Sequence, residues 1–463
     1  MQPNILFILM DDLGWKDLQA CGSTFYETPN IDRLMSEGMQ FSNGFASCPV
    51  CSPSRGSLLT GKSPARLGLT DWIDNAGVMH PLKGKFIDAP YVKNLSHEEK
   101  TLPSTLREHG YSTYHIGKWH LGTKEHYPET HGFDVNIGGC SWGHPHEGYF
   151  SPYNLETLKD GPEGEYLTDR LTDEAIKLIK NSKDKPFFMN LCHYAVHTPI
   201  EAPAELIKKF EQKAKKLGLD SVNALVEGEE MLTDDKRGKK VTRRILQSDP
   251  AYAAMIYNLD WNIGRTIEAL KAEGVYESTI IIFTSDNGGL ATAEGSPTCN
   301  FPASEGKGWT KDGGLRVPLS ITWKNEIRQN SLNQTPVTGM DFYPTLLEAC
   351  GIDLLENQHK DGVSLMPLLK ESSIGDRYLY WHYPHYGNQG GHPSVAVRKG
   401  RYKLIKYYDM DKVELFDIEN DLSEITDISG DKPRIVADFL SYLEHTLEDC
   451  EAKYPSPNPN WKG

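Results

Sequence analysis

The chain comprises 463 residues, of which 38% are hydrophobic and 24% are charged, a balance typical of a globular protein of two or three domains. Its 49 basic and 64 acidic side chains give a formal net charge of −15, which argues against nucleic acid and anionic membranes as partners. The eight scattered cysteines do not indicate a disulfide framework at this length.

The first predicted element is a buried strand over residues 4–10, an apolar run that is far too short to span a bilayer. No signal peptide is visible ahead of it. The strand ends at Asp11 and Asp12, two adjacent carboxylates that repel each other unless a cation lies between them. A solvated turn is the alternative interpretation of this pair.

A helix is predicted over residues 28–39, and a shorter one from about residue 54 to residue 60, where Gly61 is a plausible stop. Cys51 would lie at the mouth of the second helix, where free backbone N–H groups and the positive dipole end favour an anion. Arg55 would project from the same side of the helix. These features suggest a nucleophile with a cradle for an anion.

Two other interpretations of this cysteine remain open. Cys48 and Cys51 form a Cys-x-x-Cys pair, which could be a redox dithiol or half of a zinc site. Neither a second such pair nor a clear thioredoxin-like context accompanies it. Alternatively, Cys51 is a buried small residue.

Residues 66–100 are predicted to form a long loop, containing Trp72 and His80, that contributes to a substrate rim. A helix over residues 102–109 and a strand over 111–117 follow.

Lys118 and His120 come directly after this strand. If this segment is extended, both side chains point to the same side. The alternative is a solvated lysine and a packed histidine.

An aromatic and histidine-rich loop over residues 140–146 precedes a helix over 167–181 and a buried strand over 186–192. His193 and His197 would form a zinc-binding pair if they lay on a helix. The strand ahead of them and Pro199 argue against a helix.

Residues 205–247 are predicted to be a solvated surface insertion, followed by a long helix over 249–273. The strand over residues 279–284 is the most apolar, and Asp286 and Asn287 follow it. A carboxylate and an amide oxygen at a strand end suit a hard cation.

A helix over residues 339–350 closes a large domain, predicted to span residues 1–370. Four short strands and a final helix over 433–452 predict a smaller α+β domain with an antiparallel sheet over residues 371–463. This domain contains His385 in an aromatic cluster that suits either stacking on a sugar ring or packing in the core.

The predicted fold class is α/β. Strands that end in polar residues and alternate with helices imply a mostly parallel central sheet between helices. The site would lie at the carboxyl ends of the strands.

The segment from Cys51 to Gly61 resembles the signature of the type I sulfatases, which belong to the alkaline phosphatase superfamily. Its residues are Cys51, Ser52, Pro53, Ser54, Arg55, Gly56, Ser57, Leu58, Leu59, Thr60 and Gly61. In that family a maturation enzyme oxidises the cysteine to formylglycine. The resemblance implies that the chain depends on a formylglycine-generating enzyme as a partner.

The resemblance also assigns roles to the other motifs. It implies a divalent cation held by Asp11, Asp12, Asp286, Asn287 and residue 51, and their oxygen ligands favour Ca²⁺ or Mg²⁺ over zinc. Gly-Lys-Trp-His and the glycine-rich segment over residues 306–318 match two further family motifs. The implied catalytic residues are Cys51, Arg55, Lys118, His120, His197 and Lys307.

The implied reaction is hydrolysis of a sulfate ester. Hydrated formylglycine presents two hydroxyls, one of which attacks sulfur while Arg55, Lys118 and Lys307 supply positive charge. His197 protonates the leaving alcohol. His120 contacts the second hydroxyl, whose deprotonation expels sulfate and restores the aldehyde.

The expected substrate is a sulfated carbohydrate of the galactose or N-acetylgalactosamine type, contacted by Trp142, His144 and His385. The family resemblance favours a periplasmic or secreted location. A metal-dependent phosphodiesterase or phosphonate monoester hydrolase is the first alternative. A sugar-binding relative without activity is the second, although it would not need Cys51 together with two lysines.

Overall fold

The computed structural model describes residues 2–74, 84–182, 185–233 and 236–461. His80, which the sequence placed in the substrate rim, lies outside the described residues. No helix among the described ranges is both long and apolar enough to cross a membrane.

The strands and helices are numbered in chain order. The strands are β1 (Asn4–Met10), β2 (Met39–Phe41), β3 (Gly44–Phe45), β4 (Phe86–Ile87), β5 (Ser112–Gly117), β6 (Val135–Ile137), β7 (Phe187–Cys192), β8 (Leu225–Glu230), β9 (Lys240–Arg244), β10 (Thr279–Ser285), β11 (Leu319–Trp323), β12 (Ser331–Asn333), β13 (Val337–Thr338), β14 (Leu379–Tyr383), β15 (Ser394–Lys399), β16 (Tyr402–Tyr407), β17 (Val413–Asp417) and β18 (Ser456–Pro457). The helices are α1 (Pro29–Ser36), α2 (Cys51–Thr60), α3 (Pro64–Leu67), α4 (Leu102–Glu108), α5 (Leu167–Asn181), α6 (Ala204–Lys216), α7 (Pro250–Ala272), α8 (Asp312–Leu315), α9 (Phe342–Ala349), α10 (Met366–Leu369) and α11 (Pro433–Asp449).

The main sheet has eight strands in the order β12-β2-β11-β10-β1-β7-β5-β6. Strands β10, β1, β7, β5 and β6 run parallel to one another, whereas β11 runs antiparallel to both β10 and β2. The apolar runs of β1, β7 and β10 are buried on both sides, as expected for central parallel strands. The predicted mostly parallel sheet is confirmed.

The helices form two packed groups around this sheet. Helices α1, α5 and α6 contact the long helix α7, while α4 and α9 contact α2. One continuous apolar core joins both groups to the strands. This arrangement confirms the predicted α/β class.

The C-terminal part forms a second, antiparallel sheet in the order β14-β15-β16-β17. Its apolar side chains pack on α11, where Phe439, Leu443 and Leu447 are buried at one-turn spacing. The predicted antiparallel sheet with one helix is therefore confirmed.

The prediction of a solvated insertion over residues 205–247 is wrong in part. Helix α6 buries Phe210 and Ala214 and packs against α7. The hairpin of β8 and β9 buries Val241 with Met231 against Trp309. A few well-spaced apolar residues are enough to anchor a segment whose composition is mostly charged.

Candidate active site

A cavity of about 460 Å³ lies beyond the carboxyl ends of the central strands. Its wall brings together Cys51, His120, His197 and Lys307, which are far apart in the sequence. The parallel strands explain this convergence, because the carboxyl ends of β1, β5, β7 and β10 meet at one edge of the sheet.

Cys51 is the first residue of α2 and is only 3% exposed. Val50 before it is extended, and Gly61 ends the helix in the left-handed conformation, with a φ of 68°. The helix therefore begins three residues earlier than predicted, which places residue 51 directly at the N-terminal end. Backbone N–H groups without helical partners and the positive end of the dipole surround this position.

Asp11 and Asp12 follow β1, and Asp286 and Asn287 follow β10. The two pairs lie side by side, because Met10 at the end of β1 is in register with Ser285 at the end of β10. The backbone N–H of Asp12 donates to Oδ1 of Asp286 over 3.3 Å. Nδ2 of Asn287 donates to Oδ1 of Asp12 over 2.8 Å.

These residues fit a divalent cation. Burial raises the pKa of Asp11 to about 8, and the neighbouring charges of Asp286 and Asp12 add to this rise, although Lys118 opposes it. Oδ1 of Asn287 is buried without a hydrogen-bond partner among the described residues. Crowded carboxylate oxygens beside an unpartnered amide oxygen are suitable ligands for a hard cation.

Three cationic side chains are buried against these carboxylates. Nζ of Lys118 donates to both oxygens of Asp11, over 2.9 and 2.7 Å. Arg55 donates from Nε to Oδ2 of Asp286 over 2.8 Å and from a terminal nitrogen to the carbonyl oxygen of Lys118 over 2.9 Å. A fixed array of buried positive charge therefore lies close to residue 51.

Lys307 is the third cation, and it joins Asp12 to His197. Its Nζ lies 2.8 Å from Oδ2 of Asp12 and 2.8 Å from Nε2 of His197. Burial lowers the pKa of Lys307, but Asp12 and the other acidic groups around it together outweigh burial and hold this pKa well above its ordinary value. Burial also opposes ionisation of Asp12, yet Lys307 and His197 lower its pKa overall.

The contacts of His197 define its protonation. Nδ1 lies 3.0 Å from the carbonyl oxygen of Thr198, which can only accept, so Nδ1 carries a proton. Nε2 therefore accepts from the Lys307 ammonium. The ring of His144 lies parallel to that of His197, with 5.8 Å between centroids.

His120 has a different arrangement. Its Nε2 donates to the carbonyl oxygen of Ile73 over 2.8 Å, and its Nδ1 is buried without a hydrogen-bond partner among the described residues. Burial and the nearby Lys118 hold the pKa of His120 well below its ordinary value. His120 is thus a neutral imidazole with a lone pair on Nδ1.

The segment after β5 is not extended throughout. His120 has a φ of 56°, in the left-handed region. Lys118 therefore reaches Asp11 from beneath the cavity, while His120 lies in the cavity wall. The condition of an extended segment is therefore not met at His120, and the assignment of both residues to one site stays a prediction.

His193 does not form a metal pair with His197. Both ring nitrogens of His193 are buried without hydrogen-bond partners among the described residues, and this segment is not helical.

A model of the sulfatase family matches residues 3–352. The chain belongs to the sulfatase family. A second model, of the C-terminal region of N-sulphoglucosamine sulphohydrolase, matches residues 306–453. The predicted family and enzyme class, a sulfuric ester hydrolase, are confirmed.

Individual relatives cover almost the whole chain. A sulfatase of Formosa agariphila is 30% identical, over 99% of this chain and 90% of the relative. The N-acetylgalactosamine-6-sulfatase of Homo sapiens is 30% identical, over 82% of this chain and 68% of its own length. The crystal structure of Ps i-CgsB in complex with k-i-k-neocarrahexaose superposes with a TM-score of 0.76 at 29% identity, covering 100% of this chain and 95% of that one.

The three predicted sugar-binding residues differ in their positions relative to the cavity. His144 lines the cavity, and Trp142 stacks on His146 of the same wall, with ring centroids 4.1 Å apart. His385 is fully buried, contacts Oγ1 of Thr70 over 2.8 Å and is not among the described cavity-lining residues. Of the two interpretations of His385, stacking on a sugar or packing in the core, the structure therefore favours packing in the core.

Sequence reasoning missed several polar residues of the wall besides Thr198. They are Asp74, Glu294, Asn388 and Gln389. The last two come from the C-terminal domain, in a segment with three glycines, Gly387, Gly390 and Gly391. That glycine content signals a loop, but no sequence pattern shows that the loop folds back over the sulfatase domain.

Proposed function

We propose that this sulfatase hydrolyses a sulfate ester on a sulfated carbohydrate of the galactose or N-acetylgalactosamine type, with formylglycine at position 51 and Ca²⁺ or Mg²⁺ as cofactors. One observation carries the proposal. Residue 51, at the N-terminal end of α2, lines the same cavity as His120, His197 and the buried Lys307.

The reaction would require two cofactors, formylglycine at position 51 and a divalent cation. Formylglycine derived from Cys51 supplies, when hydrated, a hydroxyl nucleophile that an unmodified cysteine does not have. A divalent cation would be held by oxygens of Asp11, Asp12, Asp286 and Asn287 together with residue 51, and it would supply charge stabilisation to the sulfate oxygens. A donor atom from each of Asp11, Asp12, Cys51 and His197 lies within 4.8 Å of the others, which supports a shared site.

The protein supplies the remaining positive charge. Arg55 is held by Asp286 and by the carbonyl oxygen of Lys118, so that its guanidinium is fixed before substrate binds. Lys118 and Lys307 are buried and bound to the carboxylates, so their charges are held in fixed positions away from solvent. Preorganised charges of this kind stabilise a transition state without further rearrangement.

His197 and His120 take the two proton-transfer roles. Nε2 of His197 accepts from the Lys307 ammonium, so Lys307 can transfer a proton to Nε2, and His197 then passes this proton to the leaving sugar oxygen. Neutral His120 has its Nδ1 lone pair available to accept a proton at residue 51. The acid and the base are thus different histidines in different environments.

The wall supports a sugar substrate. Aromatic and histidine rings from residues 142–146 lie beside polar groups of the C-terminal domain, a combination suited to the faces and hydroxyls of a sugar. Oδ1 of Asn388 and Oε1 of Gln389 are buried without hydrogen-bond partners among the described residues. Sugar hydroxyls would satisfy both acceptors. The named activities of the relatives on sulfated sugars support the same class.

The test is anion release. The chain is produced with a formylglycine-generating enzyme and incubated with sulfated mono- and disaccharides and with a phosphodiester. We expect free sulfate from a galactose- or N-acetylgalactosamine-type sugar and none from Cys51→Ala. Release of a phosphate product without sulfate would support a phosphodiesterase or phosphonate monoester hydrolase instead.

The mass of the peptide that contains residue 51 completes this test. Formylglycine is lighter than cysteine, so the conversion is read directly. A converted protein that releases no sulfate from any sugar would contradict the proposed substrate class.

A further inference from the structure

Three histidines form a cluster outside the active-site cavity. His97 lies ahead of α4, and His126 and His131 lie between β5 and β6. One ring nitrogen from each lies within 4.8 Å of the others. None of the three is among the described residues that line the cavity, so the catalytic reaction does not account for them.

Backbone contacts define the tautomers of two of these rings. Nε2 of His97 lies 3.0 Å from the carbonyl oxygen of Glu125, and Nδ1 of His126 lies 2.9 Å from that of Leu95. A carbonyl oxygen can only accept, so each of these nitrogens carries a proton and the other nitrogen of each ring has a lone pair. Histidines that bind metals typically donate their second ring N–H to a carbonyl or carboxylate in this way.

The third ring has an unsatisfied nitrogen. His131 is 3% exposed, and its Nε2 is buried without a hydrogen-bond partner among the described residues. A buried polar atom without a partner is costly unless something binds it. The rings of His97 and His126 lie beside it, with centroids 5.1 and 6.0 Å from that of His131.

We propose that His97, His126 and His131 bind a transition-metal cation of the zinc class. Three imidazoles favour Zn²⁺, Ni²⁺ or Cu²⁺, whereas Ca²⁺ and Mg²⁺ require oxygen ligands. With Zn–N bonds of about 2.0–2.1 Å, the nitrogens of a tetrahedral site are roughly 3.4 Å apart. In the structure the three ring nitrogens are separated by up to 4.8 Å, so they must come closer to bind one ion.

Closing the site requires one ring to move. The rings of His97 and His126 are stacked, with 4.2 Å between centroids and 14° between planes, so their in-plane lone pairs do not yet converge. His97 is exposed and can tilt out of the stack, while His131 is anchored in the core. Water would complete the coordination at this surface.

The metal would brace the segment that carries two catalytic residues. Trp119, between Lys118 and His120, donates from its indole nitrogen to the carbonyl oxygen of His126 over 2.8 Å. Its ring also packs against that of His131, with 5.7 Å between centroids. Metal binding would therefore raise thermal stability, since it occurs in the folded chain and not in the unfolded one.

The experiment measures Zn²⁺ binding by the full-length chain in excess Ca²⁺. Stoichiometry is determined by equilibrium dialysis and elemental analysis, and Tm is measured with and without Zn²⁺. The variants are His97→Gln and His126→Gln. The matched control is His445→Gln, an exposed histidine whose Nδ1 likewise contacts a backbone carbonyl, that of Ser441.

We expect His97→Gln and His126→Gln each to bind one Zn²⁺ fewer per chain than the unmodified protein and to lose the Zn²⁺-dependent rise in Tm. His445→Gln should retain both. Zn²⁺ bound at the catalytic centre is common to all four proteins and cancels in this comparison. Because His97 is exposed, its variant should fold. An equal number of Zn²⁺ ions bound per chain in His97→Gln and in the unmodified protein would overturn the proposal.

Discussion

Replacing His197 with glutamine tests the proposed general acid. Glutamine keeps a polar group that can accept from Lys307, which lies 2.8 Å from Nε2 of the histidine, but it cannot deliver a proton to the leaving group. General acid catalysis contributes about 10²- to 10⁴-fold, or about 3–5 kcal/mol of barrier. We expect kcat/KM on a sulfated sugar to fall by a factor in this range.

The leaving group separates this role from a structural one. A sugar alkoxide needs a proton as it leaves, whereas the nitrophenolate of 4-nitrophenyl sulfate is stable without one. His197→Gln should therefore lose much less activity on 4-nitrophenyl sulfate, by less than about tenfold. Both rates are measured on protein with the same content of formylglycine.

His144→Gln is the matched control, because the ring of His144 lies parallel to that of His197 and lines the same cavity. Loss of a sugar contact should raise KM for the sugar, but the ratio of the two kcat values should stay within about threefold of that of the unmodified enzyme. An equal loss on both substrates in His197→Gln, or a changed ratio only in His144→Gln, would refute the assignment of His197.

Three other perturbations have defined outcomes. Cys51→Ala should abolish sulfate release while changing the free energy of unfolding by about 1 kcal/mol or less, measured by urea titration; retained turnover would contradict a nucleophile at this position. Removal of divalent cations by a chelator should abolish activity, and added Ca²⁺ or Mg²⁺ should restore it. In Asn287→Leu the cation concentration that gives half of full activity should rise at least about tenfold. Full activity in the presence of the chelator would exclude this cation site. Burial lowers the pKa of His382 from 6.5 to about 4, so between these values the unfolded chain binds a proton that the native chain does not. The free energy of unfolding should fall as the pH falls, by about 2 kcal/mol from this histidine between pH 7 and pH 5, and His382→Asn should show a correspondingly smaller fall.

Much of the framework could be predicted because its elements are defined locally. The strand over residues 4–10 and the helix over 167–181 begin and end where predicted, since an uninterrupted apolar run and a clear helical periodicity define them. Residues from separate motifs were expected to converge at the carboxyl ends of parallel strands. Cys51, His120, His197 and Lys307 do line one cavity there.

The features that escaped prediction depend on contacts between distant segments. Sequence alone left open whether the segment of Lys118 and His120 is extended, and the structure shows His120 in the left-handed region. His385 is of a residue type that suits sugar binding, but it is completely buried, with Thr70, Tyr91 and Tyr383 in contact with its ring. Glu294 and Asn388 reach the cavity only through loops whose paths no local pattern determines.

The cavity divides into two parts with different freedom to change. The charged floor is buried and interlocked, since Arg55, Lys118 and Lys307 are each bound to a carboxylate at a strand end. The rim comes from separate loops, which include residues 141–146 and 388–389. Substitutions in these loops can alter the shape presented to the sugar without disturbing the sulfate-binding charges. New substrate ranges could therefore evolve at the rim while the chemistry beneath it stays the same.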